Sequence, residues 1–140
     1  MIYNEFMNEI DSYMNDEDVG SMIIGIGIDM IELERVRAIL KRQPKFIDRI
    51  LTDEEKEYYR SLGENRKVEW FAGRFSAKEA FSKAYGTGIG EKLSFHDISI
   101  VPDSSGKPMI QHHLDVKAHL SITHTKHYAA AQVILEDLQK

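Results

Sequence analysis

A helical apolar period runs over residues 66–85, with Val68, Phe71, Phe75 and Phe81 among its apolar positions, and Gly86 stops it. This one stretch sets the architecture, because a long helix rich in Phe and Ala reads as largely buried. Two charges interrupt it. Glu79 and Lys83 stand one turn apart on one face, and the loop that follows, Gly86-Thr87-Gly88-Ile89-Gly90, has three glycines in five residues. The pair has two readings. It can be a helix-stabilising contact worth ~0.2–0.5 kcal/mol. It can also be an acid and a base offered to a bound ligand, since an idle charge pair in a buried helix is costly. The glycine loop favours the second, because a bare backbone lets N–H groups approach phosphate oxygens and Thr87 adds a hydroxyl.

Around this helix the periods change in order. Residues 22–29 form an Ile-rich run broken by Gly25 and Gly27 and ending on Asp29, which reads as a buried strand approached closely by another backbone. Leu33, Val36, Ile39 and Leu40 recur at helical spacing over residues 32–43, until Pro44. A short apolar segment, residues 46–51, follows. Thr52 with Glu55 three residues later is a capping box that opens a helix towards Ser61. The second half alternates with period two. Strands are predicted over 95–101, 109–113, 119–124 and 128–136, with a turn at 102–108 and a hairpin about Thr125-Lys126. A strand, then helices, then a meander gives an α+β fold with a small, mainly antiparallel sheet packed against helices.

The chain has 140 residues, 42% hydrophobic and 29% charged, which fits one folded domain. It has no cysteine, so disulfides, thiolate nucleophiles and zinc–thiolate sites are excluded. Its longest apolar run is far short of the ~20 residues that cross a membrane, and no signal peptide precedes it. The net charge of −5 is a property of one end. Residues 1–21 hold six acids and no Lys or Arg; without them 17 acids face 18 bases. Residues 1–21 therefore read as an acidic extension outside the fold, extraneous or natural, and residues 22–140 as the functional domain.

Two further clusters carry chemistry. Asp29 either caps the following helix or joins Glu79 around a hard cation; Mg²⁺ takes oxygen ligands, often one or two carboxylates with substrate phosphates. Arg35, Arg37, Lys41, Arg42, Lys45 and Arg49 place six bases in fifteen residues, with Asp48 the only acid among them. This is a solvated helix face or a ridge for an acidic partner. Interleaved stacking aromatics are absent, so an acidic protein fits better than nucleic acid. His124 and His127 lack a third ligand for zinc.

Three blocks in order resemble the holo-[acyl-carrier-protein] synthase family of 4′-phosphopantetheinyl transferases, the short trimeric bacterial type. They are Gly25-Ile26-Gly27-Ile28-Asp29, then Phe71-Ala72-Gly73-Arg74-Phe75 through Lys78-Glu79-Ala80 to Gly86-Thr87-Gly88, and Ser121-Ile122-Thr123-His124-Thr125. The resemblance covers residues 22 to about 138. It implies a cytoplasmic enzyme of fatty acid biosynthesis that moves phosphopantetheine from coenzyme A to a serine of apo-acyl carrier protein, releasing adenosine 3′,5′-bisphosphate. It implies Mg²⁺ on Asp29 and Glu79, Lys83 on the pyrophosphate, and Arg74, Gly86, Thr87, Gly88 and His124 about coenzyme A. It further implies a carrier surface at Arg35, Arg42, Lys45 and Arg49, and a homotrimer with active sites between subunits, which would let Asp29 and Glu79 come from different chains. The serine's proton goes to Glu79 or to a metal-bound water. No membrane or nucleic-acid partner is implied. A coenzyme-binding module without catalysis is the rival, and it need not keep both carboxylates.

Overall fold

The computed structural model describes residues 2–14 and 22–138. In chain order these form α1 (Ile2–Met14), β1 (Ile23–Glu32), α2 (Leu33–Arg42), α3 (Phe46–Ile50), α4 (Asp53–Arg60) and α5 (Glu64–Tyr85). Then come a 3₁₀ turn (Phe95–Asp97), β2 (Ser99–Pro102), β3 (Pro108–Gln111), β4 (Val116–His124) and β5 (Tyr128–Asp137). The long helix, the Thr52 capping box and the stop at Gly86 all form as the sequence indicates, with Gly86 left-handed at φ 93°.

The strands make two units instead of one sheet. β1, β5 and β4 form a three-stranded antiparallel sheet in that order, and β2 pairs with β3 as a separate hairpin. The expected strand over 95–101 is shortened, because Asp97 turns back to accept the Ser94 N–H at 2.8 Å and closes the 3₁₀ turn. β4 starts earlier than its alternation suggests, at Val116.

Helix α5 lies across the inner face of the three-stranded sheet. Ala77, Ala80, Phe81 and Ala84 meet Ala131, Val133 and Leu135 of β5, all buried. β1 comes closest: a Cβ on Gly25 would stand 1.9 Å from the Ala84 carbonyl oxygen, and one on Gly27 1.8 Å from that of Ala80. Only glycine allows that approach. The close packing foreseen for β1 is therefore present, but on one face only. Its other face, carrying Ile24, Ile26, Ile28 and Met30, is 52–64% exposed, so the strand is half-buried in the single chain.

A second core holds Leu33, Val36, Ile50, Leu51, Trp70, Phe71 and Ala72, joining α2 and α3 to the first half of α5. Between the cores sits a fully buried ion pair. Lys78 Nζ donates to Glu55 Oε1 at 2.6 Å, to the Ile50 carbonyl at 2.6 Å and to that of Phe95 at 3.1 Å. Glu55 accepts in turn from the Thr52 and Ile100 N–H groups, at 2.9 and 2.8 Å. Burial pulls the Lys78 pKa down, and Glu55 opposes it. The ion pair thus ties α3, α4, the 3₁₀ turn and β2 to α5. Lys78→Met, which strands the Glu55 carboxylate, is expected to cost about 3–5 kcal/mol in urea unfolding. The double variant with Glu55→Leu should recover part of that loss; additive losses would count against the pair as a coupled unit.

Candidate functional site

β1 delivers Asp29 and α5 delivers Glu79 to one cavity of about 370 Å³, whose wall also includes Arg35 from α2. The rest of its lining is mostly apolar: Ile31, Val36, Ile39, Phe46, Phe71 and Phe75. The strand and helix can hold two carboxylates together because the Gly27–Ala80 approach lies beside both. Lys83, one turn beyond Glu79, reaches across and donates to Asp29 Oδ1 and to the Ile28 carbonyl, both at 3.0 Å. Its side chain is half-exposed at the edge of the site. Burial raises the Glu79 pKa, Asp29 raises it further, and Lys83 only partly offsets them. The site therefore sets two carboxylates beside two bases, Arg35 and Lys83, against an apolar wall.

This donor set suits a hard divalent ion. Both side chains offer only oxygen, and a cation between them would relieve the repulsion that raises Glu79. Among the described residues no group of three or more His, Cys, Asp or Glu lies together. A two-carboxylate site leaves the remaining positions to water and ligand oxygens, as Mg²⁺ prefers.

Arg74 and His124 come together elsewhere, in a smaller cleft of about 80 Å³ with Arg66, Glu69, Trp70, Gly73 and Ile122. On α5, Arg74 is five residues from Glu79 and so points to a different side. It is only 8% exposed, its guanidinium sits 4.3 Å from the Trp70 ring centroid, and its Nε has no hydrogen-bond partner among the described residues. Burial lowers its pKa to about 10 against the opposing pull of Glu55 and Tyr58. His124 Nδ1 lies 3.3 Å from Glu69 Oε2. An orphaned, desolvated guanidinium N–H is a ready donor to an anion.

The glycine loop is organised differently from a phosphate cradle. The N–H groups of Gly86 and Gly88 both donate to the Ser82 carbonyl, at 3.0 and 3.2 Å, and Gly88 is also left-handed. The Thr87 hydroxyl donates to the Gly88 carbonyl at 2.9 Å. These glycines cap the helix and hold its last turn, where Lys83 stands. On the ridge, Arg37 is committed to Glu34 at 2.7 Å, while Arg35, Lys41, Arg42 and Lys45 have no ion-pair partner among the described residues. Arg49 lies over Phe46 at 6.0 Å. The aromatic wall of the cavity escaped sequence reasoning, since Phe46, Phe71 and Phe75 read equally well as core.

Residues 25–134 match the family model described as the 4′-phosphopantetheinyl transferase superfamily. The holo-[acyl-carrier-protein] synthase of Anoxybacillus flavithermus is 57% identical over 118 residues, 84% of this chain and 98% of that protein. That of Bacillus velezensis is 55% identical over 121 residues, 85% of this chain and all of that protein. Among solved structures, the holo-(acyl-carrier-protein) synthase of Bacillus anthracis in complex with CoA (3′,5′-ADP) superposes with a TM-score of 0.80 at 50% identity, covering 84% of this chain and 99% of that one. The Helicobacter pylori holo-[acyl-carrier-protein] synthase in complex with coenzyme A has a TM-score of 0.71 at 33% identity, covering 79% and 98%.

Proposed function

The chain belongs to the 4′-phosphopantetheinyl transferase superfamily, and from that premise we propose that it transfers phosphopantetheine from coenzyme A to a serine of apo-acyl carrier protein. The products are holo-carrier protein and adenosine 3′,5′-bisphosphate, in support of fatty acid synthesis in the cytoplasm. One observation carries the assignment of chemistry: Asp29, Glu79 and Lys83 converge on the mouth of one apolar cavity.

Asp29 and Glu79 would hold Mg²⁺, which supplies charge neutralisation at the pyrophosphate when bound. Lys83 turns from Asp29 to the same pyrophosphate and stabilises charge on the departing phosphate. The serine oxygen forms a bond to the β-phosphorus as the bond to the bisphosphate breaks. The serine proton would pass to Glu79 or to a water beside it. Two acids of one sign beside a base argue against a passive coenzyme-binding module, which has no need to hold two repelling carboxylates together.

Arg74 and His124 supply further contacts to coenzyme A. Asp29 and Glu79 line one cavity of a single chain, which supports a site whose two acids come from the same chain. If active sites lie between subunits, the Arg74–His124 cleft of one chain faces the Asp29–Glu79 cavity of its neighbour. The exposed Ile24, Ile26, Ile28 and Met30 row on the outer sheet face supports a homotrimer, since a contiguous apolar face of this kind calls for a cover. No described helix is long and apolar enough to cross a membrane.

The test is direct. Purified chain, apo-carrier protein, coenzyme A and Mg²⁺ should give a carrier heavier by ~340 Da, the mass of one added phosphopantetheinyl group. No mass gain ends the proposal; gain that survives exhaustive chelation removes the metal from it. Arg42→Glu, on the exposed ridge and outside the Asp29–Glu79 cavity, is expected to raise KM for the carrier about tenfold through a slower encounter, leaving KM for coenzyme A unchanged. An unaltered carrier KM would count against the ridge as its landing surface.

A further inference from the structure

Helix α1 lies before the residues matched by the family and has chemistry of its own. Ile2, Tyr3, Phe6 and Met7 share one side of it and are 37–83% exposed. Glu5 and Glu9, one turn apart, flank that side. The result is an amphipathic helix in a leader with six acids and no base. An apolar side of this size open to water is a surface in want of a partner.

The ridge offers the complement. Gln43, Pro44, Lys45, Phe46, Asp48 and Arg49 line a shallow depression at the α2–α3 junction. Pro44 and Phe46 supply its apolar surface, and Lys45 and Arg49 stand beside them with Arg42 close in sequence. Phe46 is also a wall of the cavity that holds Asp29 and Glu79. Whatever occupies the depression therefore sits at the side of the reaction centre. Seven residues of extended chain span at most ~25 Å and the thirteen of α1 add ~20 Å. The ten residues of β1, ~33 Å, and the ten of α2, ~15 Å, lie between the leader and the depression, so the two lengths are of the same order.

We propose that α1 is a tethered occupant of this depression, competing with the acidic carrier for the basic ridge. In the docked state its apolar side covers Pro44 and Phe46, and Glu5 and Glu9 face Lys45, Arg49 and Arg42. The described structure, with Ile2 83% exposed, is the undocked state. The competition rests on the proposed function; the docking itself rests only on charge and shape. A tether supplies roughly millimolar effective concentration, so a weak contact suffices to raise the carrier KM several-fold without altering kcat.

The experiment compares the intact chain with the intact Glu5→Lys/Glu9→Lys chain at saturating coenzyme A and Mg²⁺. The double variant should lower KM for apo-carrier protein about threefold or more, with kcat and the coenzyme A KM unchanged. A zero-length carbodiimide, read by peptide mass spectrometry, should join Glu5 or Glu9 to Lys45 or Lys41 within one chain. Equal carrier KM values overturn the competition, and absence of the cross-link overturns the docking. Cross-links that join two chains assign the site to a second copy and overturn the tethered form. Should the chain transfer nothing to any carrier, the cross-link still decides the docking, and only the proposed function falls.

Discussion

Glu79→Gln is expected to lower transfer at least about a thousandfold, the scale of losing a preorganised group that acts on transition-state charge. The same variant should unfold at a higher temperature than the native protein at neutral pH. Both follow from one geometry. Burial and Asp29 together raise the Glu79 pKa in the folded chain, so its ionised form opposes folding. The sign is fixed by linkage: a carboxyl raised on folding binds more protons folded than unfolded, so stability falls as pH rises. The loss begins at the ordinary carboxylate range and is complete above the raised folded value. Glutamine has no proton to lose. The difference in melting temperature should therefore be largest at pH 7 to 8 without metal and shrink as pH falls through that window. Saturating Mg²⁺ should reverse it by stabilising the native protein alone, since only ligands that bind the folded state raise its stability. Transfer assays and metal-free melting curves across pH check both halves. Native-like turnover would take Glu79 out of the mechanism, and a lower melting temperature would refute the repulsion between the two acids.

How far this site is legible in the sequence depends on whether the determinant is local. The Thr52 capping box, the helical run to Tyr85 and its Gly86 stop are fixed by neighbours within a turn or two. They could be read without knowing what packs against them. Glu79 and Lys83 were legible as one face for the same reason, but Lys83 spends its bond on Asp29, 54 residues away. Nothing local marks that contact. Lys78 shows the limit more sharply. It stands next to Glu79 in sequence, yet a 100° step round the helix sends it into the core to Glu55 and leaves Glu79 facing the cavity. Glycine was the least legible. Gly25 and Gly27 do mark a close approach, as the pattern implied, whereas Gly86 and Gly88 turn their N–H groups back onto Ser82 instead of presenting them. Identical residues served a contact in one place and a cap in the other. The Phe46, Phe71 and Phe75 wall was hidden because an aromatic lining a cavity and one filling a core obey the same period.

That contact between strand and helix makes Gly27→Ala the most damaging single-methyl change expected in this chain. The new Cβ would stand 1.8 Å from the Ala80 oxygen and 2.8 Å from the Ala84 nitrogen. Both are backbone atoms of a packed helix, so no rotamer change can relieve the clash. Strand and helix must part by roughly 1.5 Å to restore ordinary van der Waals contact. Overpacking of this sort costs about 3 kcal/mol. The functional cost is separate and follows from position. Asp29 is two residues along the strand and Glu79 one residue along the helix, so the displacement opens the distance between the two carboxylates. A misplacement near 1 Å at a reacting centre is worth about a hundredfold in rate. Gly25→Ala gives the comparison, because its clash at 1.9 Å is with Ala84, a turn beyond Glu79. It should destabilise to a similar degree but lose less turnover and less Mg²⁺ affinity. Gly63→Ala, with no atom within 4 Å of the added Cβ, is the control for substitution itself. Chemical unfolding, Mg²⁺ titration and turnover on folded protein separate the terms. If Gly27→Ala kept native turnover while losing stability, the strand–helix spacing would govern folding alone. The two acids would then be placed by something other than the glycine that lets their backbones meet.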